Sequence, residues 1–211
     1  MNTSNMMFTQ ALGLFMLITA CAAQAESQPG AVQRKPAPEY EEDPDHFNEQ
    51  NIEEVADVDE TWYIKKRNVP NTGYTCHSAT KLGTEGVDYI YKFSVRNATQ
   101  HYIEWNVTMT PARTGKHEEP NAVRYYYLPR HMYPDEPLQT SKLMTYDAQK
   151  GCAVLFTLAV VPTIGLRRTC MVVQKSSTVS EDIPESCNNV YRNHCSHNPR
   201  MEDTPWYKTC K

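Results

Sequence analysis

Six cysteines downstream of a short apolar N-terminal run constrain this 211-residue chain more than any other feature. They are Cys76, Cys152, Cys170, Cys187, Cys195 and Cys210. An even number of thiols behind a secretory leader is typical of disulfide-bonded extracellular proteins. The sequence therefore predicts three disulfides and a secreted, extracellular protein. Spacing alone leaves fifteen pairings open.

The leader is predicted over residues 1–25. Its apolar run, Ala11–Ala23, is too short to cross a bilayer, and Ala23 and Ala25 supply the small residues that a signal peptidase requires. Ile18–Cys21 also resembles a bacterial lipobox, in which Cys21 would carry a lipid, but the six later cysteines favour a eukaryotic secretory route. No second long apolar run follows, so we expect no membrane association.

Charge divides the rest of the chain into two parts. Eleven acidic residues and no Lys or Arg lie between Glu39 and Glu60, whereas the chain from Thr61 onward is mildly basic. Residues 26–46 combine Pro with charge and offer little to bury, which predicts a disordered acidic arm. Residues 47–211 are the predicted folded domain, entered through a short amphipathic helix. The apolar positions of that helix are Phe47, Ile52, Val55 and Val58.

The domain itself has the pattern of an all-β protein. Eight segments rich in aromatic and β-branched residues are separated by Gly, Pro, Asn or charged residues. They begin at Thr61, Tyr74, Asp88, Tyr102, Ala122, Lys142, Cys152 and Arg167. Eight successive strands predict an antiparallel up-and-down barrel. A final helix follows Pro184, with Cys187, Val190, Tyr191, His194 and Cys195 on one face, which suggests that cysteines attach it to the barrel wall.

Two acceptor sequences for N-linked glycans remain after the leader, at Asn97 and Asn106. If Asn106 carries a glycan, its side chain faces solvent, and strand alternation then turns Glu104 outward. Ile103, Trp105, Val107 and Met109 would face inward. An unused sequon in a buried strand would leave this orientation undecided.

An ordered set of motifs resembles the tick salivary lipocalins of the histamine-binding protein family. The motifs are a cysteine on an early strand, YDAQKGCAV at Tyr146–Val154, TCMVV on the next strand, VSEDIPESC, the helix Cys187-x-x-x-Tyr191-x-x-x-Cys195, and the terminal Tyr207-x-x-Cys210. The resemblance extends from Thr61 to Lys211. It implies an eight-stranded lipocalin barrel that sequesters host histamine, serotonin or lipid mediators; some members bind complement components instead.

The resemblance also implies the disulfides Cys76–Cys210, Cys152–Cys187 and Cys170–Cys195. The amine-binding site of the family, however, is not present at the matching positions of this sequence. Amine-binding members have a Cys-Asp-aliphatic step and a Glu-Leu-Trp step where this chain has Ala153, Met171 and Val173. The carboxylates that would pair with an ammonium, and the indole that would stack on its ring, are therefore absent at these positions. Asp88 and Asp147 remain as strand-edge candidates, although a solvated turn residue explains each of them.

The predicted interior is apolar and aromatic, which suits an acyl chain with Met and Tyr side chains around it. Strand register decides whether Leu155 or Phe156 faces inward. The candidate ligand-binding residues are Trp105, Met109, Tyr125, Tyr127, Phe156 and Met171. The competing interpretation is that these side chains fill the barrel completely.

Other function classes find little support in the sequence. Nucleophile-elbow, phosphate-loop and Cys-x-x-Cys motifs are missing, so we expect neither an enzyme nor a cofactor. His194 and His197 flank Cys195, but a disulfide-bonded cysteine is no metal ligand, and no metal site is expected. The mild basic surplus gives no case for nucleic acid binding. A monomer is expected.

A second hypothesis places function in the acidic arm. Tyr40 lies among Glu39, Glu41, Glu42 and Asp43, a setting in which secreted proteins undergo tyrosine sulfation. Such an arm would dock on a basic surface of a host protease, chemokine or complement component. The alternative is an arm that serves only solubility.

Overall fold

The computed structural model describes residues 38–161, 165–195, 198 and 200–210, which lie in one compact unit, residues 37–211. The predicted leader, Cys21, the first part of the predicted arm and His197 lie outside the described residues. Within the described part of the chain, no helix combines the length and apolar character needed to cross a membrane.

Eight strands form a closed antiparallel barrel in sequential order, which confirms the predicted up-and-down fold. The strands are β1 Trp62–Arg67, β2 Thr75–Glu85, β3 Asp88–Arg96, β4 Tyr102–Ala112, β5 Ala122–Tyr125, β6 Gln139–Asp147, β7 Cys152–Val161 and β8 Gly165–Lys175. Pairing of β1 with β8, for example Ile64 with Val173, closes the barrel. Closure gives each strand a hydrogen-bonded neighbour on both sides.

The N-terminal helix is shorter than its apolar spacing predicted. Residues Tyr40–Glu42 and Pro44–Glu49 are 3-10 turns, and the α-helix α1 covers only Ile52–Ala56. The break falls at Gln50, whose side chain points inward and donates to the carbonyls of Tyr40 and Met144, at 3.0 and 3.1 Å. Asn51 then caps the new helix by accepting from the N–H of Glu53 at 3.0 Å.

The C-terminal helix α2, Glu185–His194, lies on the outer face of β6, β7 and β8. Cys187, Val190 and Tyr191 are buried there against Met144 and Val172 of the barrel wall. Disulfides at both ends of this contact, Cys152–Cys187 and Cys170–Cys195, attach the helix. The prediction that cysteines hold the helix on the wall is confirmed.

The third disulfide joins Cys76 to Cys210, so the structure forms the three pairs that the family resemblance implied. This disulfide connects the C-terminal segment to the start of β2. An isolated antiparallel β-bridge between Arg67 and Asp203 attaches the same segment at a second point. The Arg67 guanidinium donates through Nε and Nη2 to one oxygen of Asp203, at 2.9 and 2.6 Å. Both side chains are nearly buried, so the pair is an internal, electrically neutral unit.

Candidate functional site

Alternation along the strands turns one set of side chains into the barrel. On β4, Val107 is buried and Trp105 and Met109 are partly buried, whereas Glu104 and Asn106 are exposed, as the alternation argument predicted. Ile103 is the exception. It is exposed at the start of β4, where the strand lacks a partner from β5, which pairs only with Thr110–Ala112.

Both sequons lie on the outside of the barrel. Asn106 is exposed on β4, and Asn97 begins the turn between β3 and β4, where the Thr99 hydroxyl donates to its side-chain oxygen at 2.8 Å. Both positions are open to modification in the folded protein. Glycosylation of Asn97 and Asn106 remains a prediction.

The inner face encloses a cavity of about 130 Å³. One end is closed by α1, where the Trp62 indole donates to the carbonyl of Val55 at 3.3 Å and the Tyr91 hydroxyl donates to that of Ala56 at 2.8 Å. The cavity lies inside the apolar cluster formed by the inward residues of the strands. The interior is therefore not completely filled by side chains.

Four of the six predicted ligand-binding residues line this cavity. They are Met109, Tyr125, Tyr127 and Met171. Trp105 belongs to the same inner cluster but lies behind the lining, where its indole donates to the carbonyl of Tyr127 at 2.6 Å. Its ring meets the ring of Tyr127 edge to face at 5.5 Å. Trp105 thus positions Tyr127.

The prediction for Phe156 is wrong. Phe156 packs in the outer cluster beneath α2, with the Arg168 guanidinium 4.2 Å from its ring centre, and the neighbouring Leu155 lines the cavity instead. Both faces of β7 are covered, one by the barrel interior and one by α2. Apolar residues therefore occupy both faces, and the sequence carries no alternation that distinguishes them.

Several lining residues were not singled out by sequence reasoning. Tyr91, Phe93 and Val95 line the cavity from β3, and their regular spacing by two in DYIYKFSVR was a usable signal. Phe93 also lies opposite Trp105 in the β3–β4 register. His77 had no such signal, because its position depends on a local irregularity of β2.

That irregularity is a β-bulge. Thr75 pairs with Arg96 and Ser78 with Ser94, so two residues, Cys76 and His77, lie opposite Val95 alone. Cys76 has a φ of 53°, donates its N–H to the carbonyl of Pro205 at 2.7 Å, and is bonded to Cys210. The C-terminal segment thereby holds the bulge in place. His77, 7% exposed, lines the cavity from it.

The imidazole of His77 is neutral in the folded protein. Burial, assisted by the positive charge of Arg67, lowers the pKa of His77 to about 4. Its Nε2 lies 3.2 Å from the carbonyl oxygen of Tyr74. Because a carbonyl only accepts, Nε2 carries the proton and Nδ1 is left as an acceptor.

This pKa makes stability depend on pH. The unfolded chain binds the His77 proton more readily than the folded protein does, so the contribution is complete above about pH 6.5 and is lost as the pH falls towards 4. We expect a loss of about 3 kcal/mol in the free energy of unfolding over that range. Urea denaturation at a series of pH values measures it. His77→Gln should flatten this slope, whereas His101→Gln, in an exposed turn, should not; an unchanged slope in His77→Gln would contradict the assignment.

The cavity carries no carboxylate among the described residues. Ala153, Met171 and Val173, the positions at which the family resemblance implies acidic residues and an indole in amine-binding members, belong to the inner cluster. Asp147 lies outside, where its carboxylate accepts from the Lys150 N–H and the Ser186 hydroxyl, at 2.9 and 2.7 Å. Asp88 pairs with Glu85 at the turn between β2 and β3 and does not line the cavity. Neither candidate replaces the missing carboxylates.

The predicted disordered arm is wrong for its last residues, from Tyr40 to His46, which are folded against the barrel. Glu41 is 2% exposed and accepts from the Arg168 guanidinium at 2.7 Å. Glu42 accepts from Lys142 and from the Thr114 hydroxyl. These acids therefore bind basic and polar groups of their own barrel. Because those partners lie far away in the sequence, the local acidic pattern did not indicate them.

Tyr40 belongs to this folded segment. Its ring stacks on His46 at 4.0 Å and meets His194 at 4.3 Å. Burial, together with the charges of Glu49 and Asp43, raises the pKa of Tyr40 to about 12. Sulfation of Tyr40 remains a prediction, now for a residue in a folded turn. No cluster of His, Cys, Asp or Glu suited to a metal ion occurs among the described residues.

The family model for the tick histamine-binding protein matches residues 40–211. Among solved structures, apocrustacyanin C2 superposes with a TM-score of 0.53 at 10% identity, over 78% of this chain and 86% of that one. Japanin from Rhipicephalus appendiculatus, solved with bound cholesterol, superposes with a TM-score of 0.51 at 15% identity, over 74% and 97%. No curated protein matches the chain.

The structural likenesses, at identities this low, support the fold alone. The family match includes the segment that folds against the barrel, every strand, the helix α2 and all six paired cysteines. The chain belongs to the tick histamine-binding protein family.

Proposed function

We propose that this protein is a secreted salivary carrier that sequesters a small host mediator, and that its ligand is a fatty-acid-derived lipid and not histamine or serotonin. Family membership supports a small-molecule ligand. The observation that carries the choice of a lipid is the lining of the cavity, which is mainly apolar and aromatic and has no carboxylate among the described residues. An acyl chain gains from burial against such surface, whereas an ammonium would lose its hydration without a compensating charge.

We therefore expect weak or undetectable binding of histamine and serotonin. Loss of a desolvated carboxylate opposite an ammonium costs about 2 to 5 kcal/mol, which weakens binding by roughly thirtyfold to several thousandfold. Calorimetry with histamine, serotonin and arachidonic acid makes the comparison, with submicromolar affinity expected only for the lipid. Submicromolar histamine binding would contradict the proposal.

A pair of variants on β2 locates the ligand. Ala79 lines the cavity between Trp62 and Phe93, its partners in register, so Ala79→Phe fills the space where the lipid would lie. Thr80, the next residue, contributes to the outer surface of the barrel, and Thr80→Phe is the matched control. We expect Ala79→Phe to weaken lipid binding by more than about tenfold and Thr80→Phe to leave it unchanged. Equal effects would place the ligand elsewhere.

The alternative function, inhibition of a host protein through the acidic arm, loses support from two contacts. Glu41 and Glu42 form ion pairs with Arg168 and Lys142 of the same chain and are not available to a partner in this fold. The proposal therefore rests on the cavity.

A further inference from the structure

The cavity lining is mainly apolar and aromatic, and two of its polar side chains lie at the end of the barrel opposite α1. His77 from the start of β2 and Tyr127, two residues beyond β5, both line the cavity there. His77 is held on its bulge by the Cys76–Cys210 bridge, and Tyr127 is held by the Trp105 indole. A disulfide and a hydrogen bond therefore hold these two side chains in place independently of each other.

Each of these side chains has an unused hydrogen-bonding group. Nε2 of His77 is engaged with the Tyr74 carbonyl, and no described residue hydrogen-bonds its Nδ1, which is an acceptor. The hydroxyl of Tyr127 makes no hydrogen bond with any described residue, whereas the neighbouring Tyr125 hydroxyl is bonded to Ser141. Both side chains line the cavity, so an acceptor and a donor without a described protein partner are available there to a ligand oxygen.

The charges around His77 and Tyr127 indicate which kind of ligand oxygen, that of a carboxylate or that of an alcohol, this position favours. The imidazole is neutral, and Arg67, whose charge contributes to its lowered pKa, is paired with Asp203 through two hydrogen bonds. A carboxylate bound here would be a buried charge without a free counter-charge, which is unfavourable. An alcohol requires one acceptor and one donor, which are the two groups present.

We propose that His77 and Tyr127 form a head-group site that binds one uncharged hydroxyl of a lipid ligand, which donates to Nδ1 of His77 and accepts from the hydroxyl of Tyr127. This inference rests on the proposed lipid-carrier function and specifies its ligand as a hydroxylated lipid. Any carboxylate of that ligand lies away from this position.

Three ten-carbon probes test the site by calorimetry at pH 7.4: 1-decanol, decyl methyl ether and decanoic acid. The ether keeps the oxygen acceptor but has no proton to donate, and the acid is ionised at this pH. We expect decanol to bind about tenfold more tightly than either of the others, since a ligand that leaves a buried partner unsatisfied loses roughly that factor.

Variants then assign the two contacts. His77→Phe should weaken decanol about tenfold and leave the ether unchanged, whereas Tyr127→Phe should weaken both. His101→Phe, in the exposed turn after β3, is the control and should change neither. Tyr127→Phe removes a single oxygen atom and carries the test alone if thermal unfolding shows that His77→Phe is not folded.

Each failure has a distinct meaning. Tighter binding of decanoate than of decanol, with proton uptake measured in buffers of different ionisation enthalpy, would overturn the inference in favour of a carboxylate site. Equal binding of all three probes, unaffected by either variant, would overturn the head-group site and leave the lipid-carrier function intact. If none of the three probes binds, the lipid-carrier function itself is overturned, and the inference with it.

Discussion

Replacing both Cys76 and Cys210 with alanine is expected to lower the free energy of unfolding by about 4 to 5 kcal/mol, more than the loss of either shorter bridge. The two cysteines are 134 residues apart in sequence, so their bridge closes most of the folded domain into one loop. A longer loop restricts the unfolded chain more strongly. Urea denaturation of the oxidised variant, followed by circular dichroism, gives the value.

The matched control is removal of Cys170 and Cys195. These cysteines are only 25 residues apart, and their loss should cost about 3.5 kcal/mol. The order of the two costs tests the argument, since a larger loss for the shorter loop would show that native contacts, and not loop length, dominate. The long-range variant should also weaken lipid binding, because the bridge holds the bulge that carries His77.

Replacing Arg168 with methionine is expected to destabilise the protein by about 2 to 3 kcal/mol. Glu41 is buried, and the 2.7 Å contact with Arg168 is its ion pair, which the variant removes. An unpaired buried carboxylate costs about 3 to 5 kcal/mol. The expected loss lies at or below the lower end of this range because the Arg168 side chain is itself 27% exposed and is screened by solvent. Chemical denaturation at pH 7 provides the measurement.

Two further variants separate charge burial from packing at this position. Adding Glu41→Gln to Arg168→Met removes the buried charge and should restore most of the lost stability. Lys142→Met removes the partner of Glu42, which is more exposed, and should cost less than about 1 kcal/mol. Failure of the double variant to recover stability would mean that Arg168 acts mainly through its contact with the Phe156 ring.

Local patterns in the sequence determined the general architecture. Short aromatic and β-branched segments predicted eight strands because side-chain alternation is a property of each strand by itself. Alternation along β4, combined with the acceptor sequence at Asn106, predicted that Glu104 and Asn106 face outward and Val107 inward. The cysteine face of α2 predicted attachment to the wall, since a helix presents residues three and four apart on one side. Pairing of the cysteines came from family resemblance, because spacing does not determine it.

Tertiary structure decided what depends on partners far apart in the chain. Residues 40–46 are folded because of contacts such as that between Glu41 and Arg168, which are 127 residues apart. The same acidic segment has the composition of a disordered arm when it is considered alone. Phe156 faces α2, and Leu155 faces the cavity, because β7 is covered on both sides and its sequence does not distinguish them. His77 lines the cavity from a bulge held by the C-terminal segment, and no local sequence pattern predicts this bulge. The barrel follows from short-range periodicity, whereas the polar groups of its cavity are set by long-range pairing.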